Sequence, residues 1–134
     1  MKRVLILSIT IILMLSMTVG CGNKKDNIKD DNVKVNTNEG ITKDRKIGVF
    51  TFKNTSLVYE NNTSKLMTLV TNTSENTEYL KEFKIHVKDE SGNDIVVLPG
   101  YVGSSIDAKS SITISSSYAS DLTDAASIEY EITR

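Results

Sequence analysis

Two hydrophobic patterns divide the chain. Residues 4–19 form one unbroken run without a charge, rich in Leu and Ile. From Ile47 onward, beyond a polar stretch, apolar and polar positions alternate instead. Phe83, Ile85 and Val87 interleave with Lys84, His86 and Lys88. Ile112 and Ile114 interleave with Ser111, Thr113 and Ser115, and Ile128, Tyr130 and Ile132 with Glu129, Glu131 and Thr133. A period of two turns one face of a strand to a core and the other to water, as in antiparallel sheets. Further strands are predicted over residues 47–52, 56–60, 66–71, 94–98 and 101–106. Turn chemistry separates them at residues 61–64, 72–76, 89–93, Pro99-Gly100 and 107–109. Seven to eight short strands at this spacing predict an all-β chain folded as a single antiparallel β-sandwich. Residues 120–126 are the one place for a helical turn, with Ser120 or Asp121 as its cap.

The apolar run has a different meaning. Lys2 and Arg3 precede it, and its 16 residues fall short of the roughly 20 that cross a bilayer as a helix. A basic start, an apolar middle and a small-residue end are the layout of a secretory signal. The closing Thr18-Val19-Gly20-Cys21 resembles the lipobox of bacterial lipoproteins, with Thr18 where that family usually has Leu. The resemblance implies a diacylglycerol on the Cys21 sulfur and cleavage between Gly20 and Cys21. It implies a membrane as the first partner and the extracytoplasmic face of the cell membrane as the location. Two acyl chains suffice for stable anchoring, whereas one does not. Cys21 is the only cysteine. Once acylated it would leave no thiol for a disulfide or a metal, so the fold is expected to be stable on packing alone.

Residues 22–46 contain no aromatic and few apolar side chains. Such composition cannot offset ordering entropy, so a disordered, charged tether is expected, spanning roughly 25–30 Å. The alternative is a tail that folds on a partner. The expected organisation is therefore signal peptide 1–20, lipidated Cys and linker 21–46, and sandwich domain 47–134. All eight aromatics lie in that last segment.

Two of its runs carry a second resemblance. Leu69-Val70-Thr71-Asn72-Thr73-Ser74 ends a strand in an Asn-x-Ser turn, and the run from Phe83 to Gly92 leads an alternating strand into an Asp-x-x-Gly turn. Together they resemble the FxLYD-type domains of exported bacterial lipoproteins, with Lys88 where that family has an aromatic. The resemblance implies an immunoglobulin-like sandwich and brings no catalytic residue with it.

Charge narrows the partners. Residues 47–134 hold seven basic and twelve acidic side chains, a net of −5. Nucleic-acid binding rests on clustered Lys and Arg, so it is not expected, nor is docking of the domain on anionic lipid. No catalytic constellation stands out. His86, the only histidine, falls on the polar side of its strand, and the sequence places no nucleophile or further ligand beside it. Residues 89–94 are rich in oxygen ligands but lack the spacing of a calcium loop. Gly100 to Ser105 leads into a strand and not a helix, which excludes a phosphate loop. No metal and no cofactor are implied. Tyr101, beside two glycines, and Tyr118 are the candidate contacts for a protein or envelope partner, since exposed tyrosines make good contact residues. The expectation is a non-enzymatic binding or structural module on a lipid anchor. The alternative is a small extracytoplasmic hydrolase using acidic residues, which requires two facing carboxylates in a concave site.

Overall fold

The computed structural model describes residues 32–133, and the expected export signal, with Gly20 and Cys21, lies outside the described residues. Among the described residues eight strands and one short helix follow in order: β1 (Lys34–Asn36), α1 (Glu39–Thr42), β2 (Arg45–Ile47), β3 (Phe50–Glu60), β4 (Thr63–Asn72), β5 (Glu78–Lys88), β6 (Asp94–Ile106), β7 (Ser111–Tyr118) and β8 (Ser127–Ile132). One sheet runs β1-β3-β4-β7, with β2 also paired to β3; the other runs β6-β5-β8. All pairings are antiparallel. The sheets face each other without closing into a barrel, so the fold is the expected β-sandwich.

Alternation explains the core. Phe83, Ile85 and Val87 of β5, Leu66 and Val70 of β4, and Ile128 and Tyr130 of β8 are all buried. At the centre Phe52 stacks on Tyr130 at 4.1 Å between ring centroids, and the Phe83 ring meets Phe52 edge-on at 5.2 Å. These contacts join the two sheets, and each such pair adds roughly 0.5–1.5 kcal/mol beyond its buried area. The Tyr130 hydroxyl is satisfied by Thr55 at 2.9 Å and Thr68 at 3.3 Å, and burial pushes its phenol above the usual range.

Two predicted breaks are absent. The strands expected at 47–52 and 56–60 are a β2–β3 hairpin followed by one long β3. A bulge between Lys53 and Ser56, with Asn54 at φ 51°, inserts one residue opposite β4. That extra residue switches the inward parity from Phe50 and Phe52 to Thr55 and Leu57, which disguised one strand as two. Likewise Pro99-Gly100 does not turn the chain; β6 runs straight through it. Pro99 is tolerated because β6 is an edge strand of its sheet. Gly100 is required there, because a Cβ would overlap the Phe83 ring packed directly across from it. The helical turn expected at residues 120–126 is a non-helical turn. Asp121 does accept the Thr123 amide as a cap would, at 2.9 Å, but no helix propagates from it.

The domain boundary also moves. The expected linker 22–46 is in part folded, and the compact unit begins at Asn32. Polar residues that read as a tether serve as pins and caps. The buried Asn36 donates to the Ala125 carbonyl at 2.8 Å and accepts the Asn38 amide at 2.9 Å. Asn38 in turn caps α1 by accepting the Gly40 amide at 2.9 Å. The single turn of helix exists to place Ile41, which is fully buried. Gly40 lets α1 approach the chain before β8, since a Cβ would overlap the Ala126 carbonyl.

Candidate functional site

The outer face of the β6-β5-β8 sheet gathers the chemistry of the domain. Alternation turns Lys84, His86 and Lys88 of β5 outward, with Glu129 and Glu131 on β8 and Asp94 at the start of β6. Antiparallel register places Glu129 opposite His86 on one side and Val97 opposite it on the other. His86 Nδ1 lies 2.8 Å from Asp94 Oδ2, and Nε2 lies 2.9 Å from Glu131 Oε2. Lys88 Nζ bridges Asp94 at 3.1 Å and Glu129 at 3.6 Å, and Lys84 reaches Glu131 at 3.7 Å. Six side chains from three strands thus form one continuous ion-pair network.

Each charge tunes its neighbours. The hydrogen bonds that His86 donates to Asp94 and then to Glu131 raise its pKa above its ordinary 6.5. The bond from His86 lowers both Asp94 and Glu131 below the usual carboxylate range, with Lys88 and Lys84 adding to the effect. The His86 side chain is 21% exposed, partly sheltered by its neighbours, so these pairs are less screened than isolated surface ions. The arrangement is an ion-pair device with no nucleophile on either ring nitrogen, both of which are taken by carboxylates. Those two carboxylates bind opposite edges of the ring and do not converge on one point. Among the described residues no group of three His, Cys, Asp or Glu side chains is placed to hold a metal ion.

Around the network the same face exposes apolar surface. Tyr101 is 67% exposed and Val97 42%, two rows apart along β6; Tyr79, 62% exposed, lies farther along β5 opposite Ser105 and lines the groove at that end. Tyr101 leans over Gly103, whose φ of 64° and missing side chain make room for the ring. Tyr118 lies elsewhere. It ends β7 on the other sheet, paired with Ser64. The structure therefore does not bring Tyr101 and Tyr118 together, and it adds Val97 to the face of Tyr101. Strict alternation could have flagged Val97, had the Pro-Gly pair not broken β6 in two.

Between the β2–β3 turn and the ends of β5 and β8 runs an open groove of about 590 Å³. Ile47, Val49, Phe50, Leu80 and Ile132 make it largely apolar, and Glu78 is its one carboxylate. It does not present the pair of facing carboxylates that the hydrolase alternative requires. Comparison with known proteins returns no match to a family model, to a curated protein or to a solved structure.

Proposed function

We propose that the protein is a membrane-anchored extracytoplasmic lipoprotein, with an immunoglobulin-like, FxLYD-like sandwich that acts as a non-enzymatic binding module at the cell envelope. The address rests on the lipobox-like Thr18-Val19-Gly20-Cys21. The binding role rests on one observation: a single sheet face exposes Val97 and Tyr101 beside a partly sheltered ion-pair network. An exposed tyrosine and valine beside paired charges suit a polar-rimmed protein interface. The partner is a protein or another envelope component. Nucleic acid is disfavoured by the acidic balance of residues 47–134.

The test places a photo-reactive amino acid at position 101 or position 118 in intact membranes. A discrete adduct from position 101, with none from 118, is the expected result. Adducts of equal pattern from both positions, or none from either, would remove the face as a binding surface. Mass spectrometry of the mature N-terminus tests the address: an acylated Cys21 is expected, and a free Gly22 or retained Met1 refutes it.

A further inference from the structure

We propose that His86 is a pH-operated latch that ties β6 to β8 across β5 when its imidazole is charged and lets go of β8 when it is neutral. The inference goes beyond the binding reading and does not depend on it.

The geometry itself demands the charged form. Both ring nitrogens sit within hydrogen-bond distance of carboxylates on different strands, Asp94 at 2.8 Å and Glu131 at 2.9 Å. Ionised carboxylates only accept. An imidazolium has two N–H donors and satisfies both; a neutral imidazole has one donor and one lone pair. With the proton gone, one carboxylate oxygen would face that lone pair at the same distance, and the contact must break.

The groups around His86 decide which one. On β6, Asp94 is also held by Lys88 at 3.1 Å. On β8, Glu131 has a looser second contact, Lys84 at 3.7 Å, and its side chain is 52% exposed against 38% for Asp94. Glu129, directly across from His86, is taken up by Lys88. Glu131 is therefore the group released, turning toward Lys84 and water, while the remaining N–H stays on Asp94. Charge points the same way. Lys84, His86 and Lys88 balance Asp94, Glu129 and Glu131 while the imidazole is charged; deprotonation leaves the face one negative charge in excess.

Release matters because β8 is a six-residue edge strand that carries Ile128 and Tyr130 into the core. Its pairing to β5 remains, but its side-chain tie through His86 to β6 is lost. A less protected β8 and a more acidic face at higher pH follow from one proton.

The full chain in detergent micelles, labelled with ¹³C at the histidine Cε1, tests this. The chain has one histidine, so one resonance reports the titration. The midpoint is expected above 6.5, and Glu131→Gln and Asp94→Asn are each expected to lower it. Across that midpoint, amide protection in residues 128–132, corrected for intrinsic exchange, is expected to fall about two- to fivefold as pH rises, the scale of an exposed ion pair. In His86→Gln that step should vanish. A midpoint at or below 6.5, a midpoint unmoved by Glu131→Gln, or a protection profile without the step in the wild type overturns the latch. So does a step that survives in His86→Gln.

Discussion

Replacing Ile41 with Ala asks whether the segment before β2 is a tether or part of the fold. Ile41 is fully buried, yet it stands on a single turn of helix in a stretch whose composition reads as linker. Truncating a buried Ile to Ala typically costs about 2–5 kcal/mol, the lost transfer energy plus the cavity left behind. Here the lower half of that range applies, because α1 is four residues long and can settle into the gap. There is also a ceiling. If docking of the segment is worth less than the cavity costs, α1 detaches locally and the loss stops at the docking energy. With a urea slope of about 1–3 kcal/mol/M, a loss of about 2–3 kcal/mol lowers the midpoint by about 0.7–3 M. Urea unfolding followed by far-ultraviolet circular dichroism measures this. Asn36→Ala should act in the same direction, since it leaves the Ala125 carbonyl and the Asn38 amide without their partner. A change within about 0.5 kcal/mol, the ordinary scatter of surface substitutions, for Ile41→Ala would refute the docking of α1 as a stabilising part of the fold.

Gly100→Ala forces a methyl into the Phe83 ring and should cost about 1–3 kcal/mol; thermal unfolding should show the loss largely suppressed in a Phe83→Leu background, and equal losses in both backgrounds would contradict the packing argument. Asn72→Ala should cost about 1–3 kcal/mol by urea titration, because its buried amide group donates to the Asn76 and Ile106 carbonyls at 2.7 and 2.9 Å. Asp121 is held down to about 2 from its ordinary 3.8, first by Lys34 and then by Thr123. A depressed folded-state pKa gives stability that is complete above the unfolded value and is lost as pH falls through the folded one. The difference in melting temperature between wild type and Asp121→Asn should therefore shrink between pH 4 and pH 2, and a constant difference would refute the pairing. His86 has the opposite sign. Its raised pKa gives stability that is complete below 6.5 and is lost as pH rises through the folded value, so His86→Gln should narrow the gap to wild type above pH 6.5.

The sandwich was legible in the alternation of β5, β7 and β8, because a period of two is a local property of an extended backbone with one buried face. Tyr101 on β6 stood out only as a tyrosine beside two glycines, not through alternation. By itself the chain also specified the apolar run and lone cysteine of its N-terminus, the acidic balance of its second part and the residue types available for chemistry. Tertiary structure decided the rest. Nothing local marks Asn36 as a pin, since its partner Ala125 lies 89 residues away. Nothing local distinguishes the bulge that joins two apparent strands into β3, because its sense comes from Thr55 meeting Thr68 and Tyr130. His86 looked like an isolated polar residue in sequence; one carboxylate partner is 8 residues away and the other 45. Alternation is set residue by residue, whereas a pin, a bulge or a shared proton acquires its meaning only from the strand that the topology lays beside it.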